Sequence, residues 1–260
     1  MRTLIKTWLS LVLLTLCVFP LNSQDNKNQR DEQGRRQGNW QGFHPNGQVR
    51  YTGQFVNNNP IGVFRYFADS GELRNELVFH ENKSEVDATY YYPDKAIMAS
   101  GQYINQQRQG LWVYFSQSGH KVAETTYQQG LAQGLSFTFY ESGQIAEEIE
   151  YLNDTKHGKW KQFYEDGSTR LVATYNFGKL HGTYLVLHRD QKVSINGLYS
   201  NGLEEGRWMH HTSDGALQKE VFYKNGKIIN EIVHIEANDD VKLPEATRPK
   251  GGNEMFKGLF

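Results

Sequence analysis

One cysteine and six prolines in 260 residues leave nothing on which to build a disulfide scaffold, a cysteine metal site or a collagen-like repeat. Charge of one sign is missing too. With 28 basic and 29 acidic side chains the net charge is −1, and without Arg2 and Lys6 the balance is 26 against 29. That balance gives no electrostatic case for a nucleic-acid partner. The chain also lacks apolar runs long enough to span a bilayer, which takes about 20 residues. What it has in quantity is rings and glycine: 13% of the residues are Phe, Trp or Tyr, and there are 25 glycines. Together with a mean hydropathy of −0.69 they describe a turn-rich chain with a large surface.

The uncharged stretch Thr7–Phe19 follows Arg2 and Lys6 and ends in Pro20, Leu21, Asn22 and Ser23. This is the pattern of a secretory signal peptide spanning residues 1–23, with an uncleaved signal anchor as the competing reading. Cleavage there would remove Cys17 and leave a mature protein without a thiol, which suits an exported chain in an oxidising compartment. Residues 24–37 (QDNKNQRDEQGRRQ) carry no large apolar side chain and read as a disordered spacer.

From residue 38 the sequence repeats itself every 24 positions. Glycines stand at 38, 62, 110, 134, 158, 182 and 206, interrupted only by Val86. A second glycine series runs through 47, 71, 119, 143, 167 and 215, broken by Lys95 and Gln191, and an aromatic series runs from Phe55 to Tyr223. The residue before the second glycine column is always short and polar (Asn46, Ser70, Asp94, Ser118, Ser142, Asp166, Asp190, Asp214), as in two-residue hairpin turns. Another turn pair follows each aromatic, clearest at Asn201-Gly202 and Asn225-Gly226. Residues 38–229 are therefore expected to be all-β, an elongated single-sheet array of eight 24-residue β-hairpin repeats.

Two-residue turns predict Trp40 opposite Gly53, Trp112 opposite Thr125, Trp160 opposite Ala173 and Tyr184 opposite Gly197, large rings across from small residues on one face. A three-residue turn would invert that assignment. The other face is expected to be polar apart from the column Phe43, Phe67, Tyr91, Phe115, Phe139 and Phe163, which continues as Leu187 and His211. Two readings of that column stay open: a second layer of packing, or an aromatic stripe for a partner. These six residues are the candidate partner-binding set.

The pattern G-x-W-x-x-F, then [DNS]-G, then a tyrosine and N-G resembles the MORN-like hairpin repeats, in the variant labelled as an antitoxin component of toxin–antitoxin systems. The motif is clearest in QGLWVYFSQSGHKVAETTYQQG and HGKWKQFYEDGSTRLVATYNFGK and weakest in VDATYYYPDKAIMASGQY. The resemblance implies a non-catalytic binding or scaffolding array and carries no catalytic residues. In the tail, residues 230–260, Pro249-Lys250-Gly251-Gly252-Asn253-Glu254 followed by Met255-Phe256 resembles the opening of a TonB-type C-terminal domain, which implies an energy-transducing envelope protein.

A search for chemistry returns no catalytic set, no cofactor loop and no metal site. His157, His181 and Glu205 share a column, but equivalent positions lie two strands apart, about 9 to 10 Å, whereas zinc holds each nitrogen at about 2 Å. No G-x-S-x-G elbow, Walker loop or dinucleotide fingerprint occurs. The expectation is an exported, periplasmic, outer-surface or secreted repeat protein that binds a protein partner in the cell envelope. A glycan partner is the alternative, since rings on a flat sheet can stack on sugars. A membrane contact is expected only if the N-terminal segment is retained.

Overall fold

A computed structural model describes residues 26–81 and 84–235. The readings of residues 1–23 as a signal peptide and of 249–256 as the start of a TonB-type domain lie outside the described residues. Within them the chain forms one antiparallel sheet of 19 strands, each paired with its sequence neighbour. The eight hairpins are β2 (Arg36–Phe43) with β3 (Val49–Val56), β4 (Asn59–Phe67) with β5 (Leu73–Phe79), β6 (Glu85–Tyr91) with β7 (Ile97–Ile104) and β8 (Gln107–Phe115) with β9 (Lys121–Gln128). They continue as β10 (Leu131–Phe139) with β11 (Ile145–Leu152), β12 (Thr155–Phe163) with β13 (Thr169–Asn176), the split strand β14 (Lys179–Leu180) and β15 (Gly182–Leu187) with β16 (Val193–Ser200), and β17 (Leu203–His211) with β18 (Leu217–Lys224). Two further strands flank the repeats, β1 (Gln29–Arg30) and β19 (Lys227–Val233).

The predicted pairs are present: Trp40 faces Gly53, Trp112 faces Thr125, Trp160 faces Ala173 and Tyr184 faces Gly197. The turns that hold them differ from expectation. At His44–Gln48 the His44 N–H donates to Gln48 O at 2.8 Å and the Gly47 N–H to His44 O at 2.9 Å, closing a three-residue turn in which only Gly47 has positive φ. The same two bonds recur in all eight hairpins, with Lys95 (φ 73°) and Gln191 (φ 65°) where glycine is missing. The faces are not inverted, because the pairing shifts by one residue between Gly42 and Phe43, and likewise in every hairpin. One bulged residue in the second strand restores the parity that the odd turn would have broken. The short polar residue before the glycine has a different task from the one expected: Asn46 Oδ1 accepts the Gln48 N–H at 3.1 Å, fastening the turn from inside.

The connections between hairpins are the two-residue turns. Asn57-Asn58, Asn153-Asp154 and Asn201-Gly202 have positive φ at both positions, the conformation that matches strand twist. Beyond each turn the first glycine column makes a second bulge. Gln54 pairs with Ile61 and Thr52 with Arg65, so that residues 62–64 face Gly53 alone, and Gly62 takes φ 62°. Val86 lacks this freedom, and there the bulge is absent: β5 and β6 pair without a shift. The connection from His80 to Glu85 is longer by the two residues that the bulge absorbs elsewhere, which keeps the repeat at 24.

The rings couple one hairpin to the next. A Cβ at Gly53 would collide with the Phe64 ring, one at Gly101 with Trp112 and one at Gly197 with Trp208. In each case the ring comes from the following hairpin, so the small residues make room across the connection as well as within the hairpin. Trp112 is 0% exposed, with Tyr103 at 5.1 Å and Tyr127 at 6.4 Å between ring centroids.

Three expectations change. The opposite face is not polar outside the Phe43 column, for Val63, Leu111 and Leu135 are exposed on it, Leu111 at 53%. Part of the segment read as a disordered spacer is ordered. Asp31 accepts bonds from the backbone N–H groups of Gln33 and Arg35 and from the side chains of Arg35 and Gln37, a polar network that needs no buried core. Finally, the sheet extends past residue 229, because β19 runs to Val233.

Candidate functional site

The Phe43 column lies at the end of each first strand, beside the bulge and the three-residue turn. Phe43 is 54% exposed, whereas Phe67, Tyr91, Phe115, Phe139 and Phe163 are half-buried. The backbone of this column is stapled from the preceding hairpin. His44 Nε2 donates to Phe67 O at 2.9 Å, Tyr92 Oη to Phe115 O at 2.9 Å, Tyr140 Oη to Phe163 O at 2.7 Å and Tyr164 Oη to Leu187 O at 2.8 Å. Lys121 Nζ stands 4.0 Å from the centre of the Phe139 ring. The column is thus a partly covered seam along one border of the sheet, with its rings spaced by two strands.

The other border carries a second set of staples. Gln37 Oε1 accepts the N–H of Asn57 at 3.2 Å, Gln109 Oε1 that of Gln129 at 3.0 Å, Gln133 Oε1 that of Asn153 at 3.1 Å and Glu205 Oε2 that of Asn225 at 2.8 Å. His157 Nδ1 occupies the same place, 3.5 Å from Phe177 N. His157 and Glu205, two of the three residues weighed as a metal ligand set, therefore serve as turn acceptors. Among the described residues no cluster of three or more His, Cys, Asp or Glu is placed to hold a metal ion. Neither set of staples was recognised in the sequence, although the 24-residue recurrence of Gln, His and Glu at one position and of Tyr and His at the other was there to be read.

In the middle of the array the ring face carries a polar seam. Tyr90 Oη lies 3.1 Å from Tyr103 Oη, Tyr114 Oη lies 3.3 Å from Tyr127 Oη, and Arg108 donates to Tyr127 Oη at 2.9 Å with its guanidinium 3.9 Å from that ring. Burial pushes the Tyr90, Tyr114 and Tyr127 hydroxyls above the ordinary phenol range. They are neutral at physiological pH and act as hydrogen-bonding groups. Farther along, Glu147 is buried and accepts the Trp160 indole N–H at 2.7 Å. Glu220 is buried between Arg207 and His234; hydrogen bonds from these two hold its carboxyl below the usual range.

The two ends of the sheet differ. At the first, β1 pairs with only Arg36 and Gln37, and beyond it the Asn28 side chain stands in for a peptide group: Oδ1 accepts the Gln41 N–H at 2.8 Å and Nδ2 donates to Gln41 O at 3.0 Å. At the other end all seven residues of β19 are exposed, Ile229 at 65%, and among the described residues no strand pairs with its outer edge.

The sequence model of a family described as MORN repeat variant matches residues 36–57, 132–153 and 156–177, about a quarter of the chain. Each match begins two residues before a glycine of the first column and ends in the following two-residue turn. No curated protein matches the chain. Among solved structures, S. aureus TarM aligns over 36% of this chain and 19% of its own at 15% identity, with a TM-score of 0.29. The TcdB2-TccC3-Cdc42 structure aligns over 77% and 13% at 10% identity (TM-score 0.23), and a porin-like protein from Bacteroides uniformis over 74% and 91% at 10% identity (TM-score 0.21). The chain spans about a fifth of the length of the first of these, and likeness at this level carries no argument about function. Three of the eight hairpins thus match the MORN repeat variant model within one hairpin-repeat sheet, which is consistent with a protein that works through contacts with other proteins or with membrane lipids.

Proposed function

We propose that this is an exported, non-catalytic repeat protein of the bacterial cell envelope, whose array holds a protein partner by adding one of the partner's extended apolar segments to the edge of β19. The observation that supports this reading is the asymmetry of the two ends. An open edge is a template for strand addition, and proteins that have no use for one blunt it. Here the first end is blunted by a two-residue strand and the Asn28 side chain, whereas β19 offers Ile228, Ile229, Ile232 and Val233 exposed beside backbone that no described strand pairs. Alternate residues of the incoming strand would meet these side chains on both faces, which selects an apolar segment.

Two measurements test the proposal. A photo-crosslinking residue at position 229 of the full chain, expressed in its own cells, is expected to give one discrete adduct whose partner peptide maps to a single apolar stretch; position 159, on a strand far from this edge, gives none. Adducts to residues 236–260 of the same chain, or no adduct, would reject the proposed edge. Export is tested by the intact mass from envelope fractions: a new N-terminus at Gln24 supports it, and a retained Met1 overturns the cleaved form.

A further inference from the structure

The first hairpin breaks the size pattern that hairpins two to four share on the ring face. In hairpins two to four the residue two places after the Trp column is a tyrosine facing a small partner: Tyr66 with Asn75, Tyr90 with Ala99, Tyr114 with Ala123. In the first hairpin the order is reversed, Gly42 facing Tyr51, and a Cβ at Gly42 would collide with the Tyr51 ring. Because Tyr51 also pairs with Tyr66 across β3 and β4, where Asn75 and Ala99 stand opposite Tyr90 and Tyr114 at the next two connections, the exchange sets two tyrosines side by side. Tyr51 lies 6.4 Å from Phe64 at an interplanar angle of 21°, Phe64 lies 6.3 Å from Tyr66 at 29°, and Tyr51 lies 6.0 Å from Tyr66.

These rings floor an open cavity of about 470 Å³ lined by Arg36, Arg50, Tyr51, Phe55, Phe64 and Tyr66. Among the described residues no carboxylate lines it. Arg36 stacks on Phe55 at 3.8 Å and Arg50 stands 5.6 Å from the Tyr51 ring, so the two guanidiniums sit over rings that are four residues apart on β3. In the fourth hairpin the cation equivalent to Arg36, Arg108, is bonded into the tyrosine seam, and the residue equivalent to Arg50 is Val122. The same place in the repeat is filled by packing there and left open, positively charged and aromatic here.

We propose that this cavity binds a short run of acidic sugars, with pyranose rings stacked on Tyr51 and Tyr66 and carboxylates met by Arg50 and Arg36. An aromatic platform takes the apolar face of a sugar ring, and guanidinium is the side chain that pairs with carboxylate in a fixed geometry. Two cations separated by several residues along one strand suit a ligand whose charges are also spaced, which favours an oligomer over a single sugar. The site is far from the β19 edge, so it stands or falls independently of that proposal.

The test is titration calorimetry of the full chain with a short oligogalacturonate, its methyl ester and polyglutamate of similar length. The oligogalacturonate is expected to bind, and the neutral ester and polyglutamate to bind at least tenfold more weakly. Arg50→Met and Tyr51→Leu each lower the affinity at least tenfold, while Arg170→Met, at the position equivalent to Arg50 in the sixth hairpin, leaves it unchanged. Arg50 is exposed, so its replacement is expected to leave the melting temperature in place and remains informative if Tyr51→Leu does not fold. No binding of oligogalacturonate, equal binding of polyglutamate, or an equal loss in Arg170→Met would each overturn the site.

Discussion

Trp112 and Trp40 occupy the same column of the repeat, yet one is fully buried and the other only half-buried. Their own strands do not explain the difference. Trp112 has a complete hairpin on either side, with Gly101 beneath its ring and Tyr90, Tyr103 and Tyr127 around it. Trp40 has Phe55 on one side and, on the other, two-residue β1 with Arg30 over the ring at 5.2 Å. In a sheet one layer thick, burial comes from lateral neighbours, so stability is a property of adjacent hairpins and falls towards the first end, whereas Trp208 in the last hairpin keeps its neighbours and stays buried.

Substitutions can break this comparison, beginning with the largest effect. Trp112→Ala is expected to cost about 3 to 5 kcal/mol and to raise hydrogen exchange across β6 to β11, measured by denaturant titration and mass spectrometry. Exchange confined to β8 would show that neighbours do not share the loss. Gly101→Ala leaves the tryptophan in place but denies it room, and about 1 to 3 kcal/mol is expected. Trp40→Ala should cost only about 1.5 kcal/mol, with exchange rising in β2 to β4 alone; a loss equal to that at Trp112 would sink the lateral-neighbour account. Gly62→Ala meets no atom, so its cost of about 1 kcal/mol would report positive φ alone.

The smallest effect separates the two ends by pH. Asp31 near the first end is held at about 2: burial opposes ionisation, but bonds from Gln37 and Arg35 outweigh it. Glu220 near the last end is lowered by Arg207 and His234. Both carboxyls are more acidic folded than unfolded, so each stabilises fully above its unfolded pKa and loses that contribution as pH falls through its folded one. His210, whose pKa is lowered by burial and by Lys219, also binds its proton more readily unfolded. Acidification from pH 7 through 4 should therefore loosen β17 to β19 before β1 and β2. The order of exchange rates along the chain checks this, and simultaneous loosening would refute it.

The period, the hairpins and the pairing of large with small residues were legible because they depend on parity and spacing. The turn type was not. A three-residue turn followed by one bulged residue puts Trp40 opposite Gly53 just as a two-residue turn does, so the face pattern cannot tell them apart. The bulge at the first glycine column was hidden for a related reason: Val86 keeps the 24-residue spacing by moving two residues into the connection at 81–84. The platform at Tyr51 was missed because the pairing of large with small residues was followed only within each hairpin, and only the pairing of Tyr51 with Tyr66 across the next connection shows that rings collect there.

The order of strand pairing also sets how the molecule answers a pull. Each strand is bonded to the strands before and after it in the chain, and the chain reverses at every turn. Tension applied at the two termini therefore acts across the strands and opens hydrogen-bond pairs one after another, as a zip opens, instead of shearing many at once. Each hairpin that yields releases 24 residues, roughly 80 Å of extended chain. The staples at both borders make that release stepwise, since a turn is freed only when the hairpin that holds it has opened. Under load the array is a graded spring of eight steps, weakest at its first end and strongest around Trp112.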